Sequence, residues 1–280
     1  MQDDLKVCAA QLRAVDFDRY IAAAMAPSHA RPDLTALYCF HHEIGRIADI
    51  ISEPLPGEIR LQWWRDAIAG EGHGDVSGNP VAALLLAAID RGTIAADDLQ
   101  AMIDARAAAL YAEPPATMDE TERRLSATSG ALLRTAGGIL TGEGWQTIER
   151  AARAGGLTEG LVGLVRNLGY DASHGRIALP LDLLAEHNVH TGDLLAGREP
   201  EGLRAALASV LDRASECLGI FRRESSGLPR TVLPAFAGLA LVRRRIAMLR
   251  KPRLLLASPP EMTPLGVVVR IWFGRHRRYC

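Results

Sequence analysis

Apolar residues recur at helical spacing along alanine-rich stretches of this chain, and no segment alternates apolar and polar residues long enough to make a strand. The pattern predicts helices over Asp4–Met25, Pro32–Ile51, Gly57–Gly70, Pro80–Arg91, Ala95–Tyr111, Asp119–Leu140, Trp145–Ala172, Leu181–His187, Pro200–Ser225, Thr231–Arg250 and Pro264–Arg275. Pro32, Pro80 and Pro200 stand at first turns, where a missing N–H costs nothing. Pro54, Pro56, Pro114, Pro115 and the Pro259-Pro260 pair mark breaks, and Thr117-Met118-Asp119-Glu120 has the form of a capping box. Gly70–Gly78 is glycine-rich but lacks the GKS or GKT ending of a phosphate loop, so it reads as a connector. With no internal repeat and no break in composition, residues 1–280 are expected to form one all-α domain.

Composition narrows the setting. At 280 residues and 48% apolar content, the chain can bury one sizeable core. Cys8, Cys39, Cys217 and Cys280 are far apart and show no metal spacing, which argues against a zinc site or a disulfide framework. The opening Met1-Gln2-Asp3-Asp4 has neither the basic nor the apolar region of a signal peptide, so a reducing cytoplasm is the expected location. The longest apolar runs, Val81–Ile89 and Val232–Val242, fall short of the roughly 20 residues that span a membrane.

A net charge of −1 conceals an asymmetry. Residues 243–280 hold ten cations against Glu261 alone, a tail of +9 that leaves −10 on residues 1–242. Arg270-Ile271-Trp272-Phe273-Gly274-Arg275-His276-Arg277-Arg278-Tyr279 interleaves aromatics with these cations. Without a nucleic-acid motif, a membrane headgroup surface or an acidic partner is the expected use, unless the arginines pair with the acidic body.

The chemistry concentrates in Leu164–Leu183, LVRNLGYDASHGRIALPLDL. Asn167 and Asp171 are four residues apart, on one helix face to within about 40°. Two carboxylates at that spacing hold Mg²⁺ against a diphosphate; an amide and a carboxylate hold it poorly. The segment resembles the second signature of the squalene and phytoene synthases: RD, a second Asp after three further residues, then GRI and LPxD. Arg166, Asp171, Gly175-Arg176-Ile177 and Leu179-Pro180-Leu181-Asp182 match, and Asn167 replaces the first metal Asp. Tyr38–Asp49 has the length and apolar phase of the first signature, YAxCRxxDDxxD. It carries His42 for the phosphate-gripping Arg, Gly45 for the leading Asp and Arg46 for the second, and keeps Asp49. Asp18 stands where the family has a Ser-Phe pair, and Arg124, Ser126 and Ser129 stand near its usual tyrosines. The resemblance runs from about Asp16 to Met248. Glu53–Arg60 and Trp63-Trp64 resemble the branch that contains the mitochondrial complex I assembly factor, whose aspartate motifs are also degraded.

The resemblance implies a helical bundle of the isoprenoid synthase type around a central cavity. It points to Asp49, Arg166, Asp171 and Arg176 as the positions equivalent to the catalytic ones, and to Tyr38, His42, Arg46, Arg166 and Arg176 as substrate contacts. Asp49 and Asp171 are the residual metal ligands, for Mg²⁺ if the chain is active; otherwise each pairs with a nearby arginine, Asp49 with Arg46 for instance. Trp63-Trp64 reads as core plus a partner helix, and His41 and His42 as one core and one cavity residue. Function divides between a diverged member, serving respiratory-complex assembly or binding an isoprenoid or lipid, and an Mg²⁺-dependent head-to-head prenyl transferase. The expected partners are a prenyl diphosphate or lipid, an assembly protein, and the inner membrane face through the basic tail, with no nucleic acid.

Overall fold

A computed structural model describes residues 2–51, 53–71, 76–111, 113–142, 146–251 and 254–276. Among the described residues the chain is built of helices: α1 (Gln2–Val15), α2 (Phe17–Met25), α3 (Arg31–Gly45), α4 (Pro54–Ala69), α5 (Pro80–Asp90), α6 (Ala96–Ala109), α7 (Met118–Leu125), α8 (Ala131–Thr141), α9 (Glu149–Ser173), α10 (Leu181–Glu186), α11 (Thr191–Leu195), α12 (Leu203–Ser225), α13 (Leu239–Leu249) and α14 (Pro264–His276). Trp145 and residues 72–75 of the glycine-rich connector lie outside the described residues.

Where the helices depart from the periodic pattern, the cause is local. The predicted Asp4–Met25 helix breaks at Asp16, whose side chain accepts from Arg19 N at 3.1 Å and caps α2, the role Asp favours over a helix interior. Helix α3 stops at Gly45 and tightens into a 3₁₀ turn, Ile47–Asp49. Pro54 opens α4 instead of ending a helix. A π turn, Ser126–Gly130, divides the predicted Asp119–Leu140 helix. Pro234 lies in a 3₁₀ stretch, Arg230–Phe236, ahead of α13, because a residue without an N–H cannot continue an α-helix. Thr117 Oγ1 accepts from Glu120 N at 3.2 Å, and Glu120 answers by accepting from Ala116 N at 2.8 Å, one residue before the cap. Helix α11, little more than one turn, is too short to leave a periodic signature.

Helix α9 is the axis of the bundle, packed against α12, α8, α13 and the π turn. Its partner α12 buries Leu203, Ala206, Leu207, Val210, Leu211, Ala214, Cys217, Leu218 and Phe221, the i, i+3, i+4 stripe of an amphipathic helix. The close approach to the π turn depends on Gly156, where a Cβ would lie 2.4 Å from Gly130 Cα and N. Trp64 is buried edge-on against Phe40, ring centroids 5.1 Å apart, and Trp63 packs against it, so the tryptophan pair joins α4 to the core. One continuous apolar cluster runs from Cys8 to Ile271.

The glycine contact yields a stability prediction. Gly156→Ala forces backbone against backbone and should cost about 2–3 kcal/mol. Gly163→Ala, on the same helix with no heavy atom within 4 Å of its Cβ, should gain up to about 1 kcal/mol from helix propensity. Thermal unfolding followed by circular dichroism separates the two; equal effects would mean that α9 does not press on the π turn.

Candidate functional site

The end of α9 delivers two functional side chains through one turn. Gly175 takes φ of 75°, the left-handed region open to glycine, and Arg176 N donates back to Asp171 O at 2.9 Å, closing a Schellman motif. The turn folds the Arg176 guanidinium over its own helix end. Nη2 donates to Asp171 Oδ1 at 3.0 Å and to Asp49 Oδ1 at 2.6 Å, while Nη1 donates to Ala48 O at 3.0 Å. Arg176 also lies 5.9 Å from the centroid of the Tyr170 ring. Burial raises the Asp171 carboxyl above its ordinary value, and the Arg176 hydrogen bond and charge only partly oppose this.

Thus the two surviving family aspartates meet, through an arginine between them. The expected Asp49–Arg46 pair does not form. Arg46 is exposed, where its charge needs no protein partner, whereas Arg176 is largely buried and requires carboxylate partners. Asp49 sits on the 3₁₀ turn and not on a long helix.

At the first motif the vacated position is filled from outside it. A Cβ on Gly45 would lie 3.4 Å from Arg106 Nη2, so the guanidinium occupies space beside the missing aspartate. Arg106 Nη2 lies 3.3 Å from His41 Nε2; since arginine only donates, that nitrogen accepts and the imidazole is neutral. Burial drives the His41 pKa well below its ordinary value, reinforced by the Arg106 charge. His42 is lowered by burial and by Arg46. Arg106 is itself pushed down to about 10 by burial and by Arg19. Its Nε is buried without a hydrogen-bond partner among the described residues.

A second charge cluster lies at the start of α2. Arg19 Nη1 donates to Asp16 Oδ2 at 2.6 Å, its Nη2 lies 3.5 Å from Glu159 Oε2, and its guanidinium is 6.0 Å from the Tyr38 ring centroid. Burial raises the Glu159 carboxyl and the Tyr38 phenol; for Glu159 the Arg19 charge opposes the shift. Burial also opposes the Asp16 charge, but Arg19 outweighs it and holds that carboxyl low. Asp18 accepts from Arg245 Nη2, an ion pair that offsets its charge. Arg166 is lowered by burial and by the Arg245 cation.

These side chains line two adjoining cavities of about 660 and 470 Å³. Tyr38, Arg166 and Arg245 face the larger; His42, Arg46, Asp49 and Arg176 face the smaller; His41, Arg106, Asn167 and Asp171 border both. Both histidines therefore reach a cavity, where one had been expected in the core. Each volume is of the size that holds a small ligand. All the expected substrate and metal positions thus gather in one region. Arg19, Arg106, Glu159 and Arg245 were missed as members of it, and only the i, i+3 pairing of Asp16 with Arg19 left a signal in the sequence. The donor set does not fit a metal cluster: no group of three metal-ligating side chains forms among the described residues, and Asp49 and Asp171 are both engaged by Arg176.

An all-helical bundle with motif positions facing across a central cavity defines the class. A model of the squalene/phytoene synthase family matches residues 12–262, and the chain belongs to that family. It is 23% identical over 274 residues to NADH dehydrogenase (ubiquinone) complex I, assembly factor 6, of Mus musculus, covering 96% of this chain and 82% of that one. The Bos taurus counterpart is 25% identical over 276 residues, covering 97% and 83%. A phytoene synthase of Thermus thermophilus is 28% identical over 236 residues, covering 81% and 76%. The fold matches a dehydrosqualene synthase with TM-score 0.73 at 17% identity, covering 99% of this chain and 97% of that one. It matches squalene synthase HpnC of Alicyclobacillus acidocaldarius with TM-score 0.66 at 20% identity, covering 99% and 95%.

Two measurements follow from this geometry. Arg176→Ala leaves two partly buried carboxylates facing each other and should cost about 2 kcal/mol, less than the roughly 3–5 kcal/mol of a fully buried pair. Millimolar Mg²⁺ should restore part of that loss in the variant and do nothing for the parent; an equal Mg²⁺ effect on both melting temperatures would contradict the bridging role. The second concerns acid. His41 and His42 have depressed folded-state pKa values, so the unfolded chain binds more protons than the folded one. Their stabilisation is present above the ordinary imidazole pKa of about 6.5 and is lost as pH falls toward the folded-state values. The raised carboxyls of Glu159 and Asp171 act with opposite sign, from the ordinary carboxyl range near pH 4 upward. Urea denaturation at stepped pH should show stability falling below about pH 6.5, less steeply in His41→Gln, whose amide oxygen still accepts from Arg106.

Proposed function

We propose that this chain is a catalytically diverged member of its family that serves respiratory-complex assembly. On this reading it keeps the cavity as a metal-free binding site for a lipid or isoprenoid chain with an anionic head. The observation that carries the reading is that Gly45 and Asn167 add no carboxylate to Asp49 and Asp171, both of which Arg176 engages. Expelling a diphosphate needs a strong cationic charge placed where the leaving group departs. Loss of one such preorganised group commonly costs on the order of 10²–10³ in rate, and here several are gone together. Binding is a lesser demand. Arg106 and Arg166 offer charge to an anionic head, and Leu133, Val162, Ala235 and Val242 offer apolar wall to a chain. The likeness to complex I assembly factors over nearly the whole length supports the assembly role.

The test has two arms. Incubated with farnesyl or geranylgeranyl diphosphate and Mg²⁺, the protein should form no squalene, phytoene or presqualene-type product while still retaining the labelled diphosphate on a filter. Product at ordinary enzymatic rates would instead establish a head-to-head prenyl transferase. Deleting the gene in the source organism should lower assembled complex I on native gels, with recovery by the intact gene; unchanged complex I would reject the assembly role.

A further inference from the structure

Helix α14 is apolar on two opposite faces. Val267 and Ile271, four residues apart, are buried against the bundle. Leu265, Val269, Trp272 and Phe273 are 73%, 42%, 48% and 51% exposed. At 100° per residue these four fall within an arc of about 100°, turned away from the buried pair. Over 13 residues the helix is about 20 Å long, so this is an extended apolar stripe and not an isolated side chain. Trp272 and Phe273 meet edge to face on it, ring centroids 4.9 Å apart.

The charge around the stripe has one sign. From Met262 to Cys280 the sequence contains no Asp or Glu, and it carries Arg270, Arg275, Arg277 and Arg278. Part of the basic tail is spent inside the molecule: Arg245 pairs with Asp18, and Arg250 with Asp212 at 2.5 Å. Those pairs lie before α14. Arg270, within it, donates to the Gly266 carbonyl at 3.3 Å and forms no ion pair with an acid among the described residues.

We infer that the outward face of α14 docks the protein on an anionic lipid bilayer. The helix lies in the plane of the surface, with its apolar residues at the headgroup boundary and Arg270 among the phosphates. No helix among the described residues is long and apolar enough to cross a membrane, so the contact is one of lying on it. A feature of the cavity favours lipid over a protein partner. Pro260, Glu261, Met262, Pro264 and Val267 form part of the wall of the 660 Å³ cavity. The segment that touches the bilayer therefore also borders the cavity, which, on the proposed function, gives a lipid occupant a route between them along one element. The −10 charge of residues 1–242 orients the molecule by repelling the rest of its surface from the same headgroups.

Co-sedimentation with phosphatidylcholine vesicles, with and without phosphatidylglycerol, tests the docking across a salt series. The full chain should sediment with the anionic vesicles at low salt, progressively less as salt rises, and little with the neutral ones. Leu265→Asp with Phe273→Asp should weaken binding at least tenfold without lowering the melting temperature, since both positions are exposed. Ile59→Asp, at an exposed apolar position on α4, should bind as the parent does. In the unsubstituted protein, brominated acyl chains should quench tryptophan emission, and Trp272→Phe should remove that quenching. No sedimentation at low salt would overturn the inference and leave a protein as the partner of this face. So would parental binding by the double variant, loss of binding in Ile59→Asp, or quenching that survives Trp272→Phe.

Discussion

Inside a helical bundle a charge without a partner is costly, and the arrangement of this cavity follows from that constraint. Asp49 and Asp171 face each other at the end of α9, where like charges would repel. Arg176 resolves the conflict with one guanidinium that also binds the Ala48 carbonyl. It joins the end of α9 to the turn after α3.

The same rule organises the other charges. Asp16 and Glu159 share Arg19, and Asp18 takes Arg245. Arg106 departs from it, with a neutral imidazole in place of a carboxylate and a pKa pressed down to about 10. Its guanidinium lies against Gly45, where a Cβ would be 3.4 Å from Nη2. Around these charges the cavity keeps its form because α9 is pressed against the π turn by backbone contact at Gly156, which does not involve the motif residues.

Much of this was legible along the chain. The helices, the proline starts of α3 and α5 and the cap at Thr117 are products of contacts within a few residues and stand close to their expected places, whereas Pro200 falls before Gly202, the N-cap of α12. The breaks at Asp16, within Ser126–Gly130 and before Leu239 were not foreseen, because helical periodicity carries smoothly through a cap, a π turn or a 3₁₀ stretch. At the site, Asp49, Asp171 and Arg176 were singled out by the resemblance to the family signatures, but their association was not. Arg46 looked the natural partner of Asp49 by proximity; burial gave that role to Arg176.

The sequence by itself determined an all-helical chain and, through its resemblance to the family signatures, two motifs that each lack a carboxylate the family carries. These are properties of residue type and local order, and a helix converts them directly into faces. Only the tertiary structure decided which cation neutralises which acid. Arg176 reaches Asp49 across 127 residues and Arg245 reaches Asp18 across 227. Pairing depends on distance in space and on the cost of leaving a charge dry, and neither is written in the order of the chain.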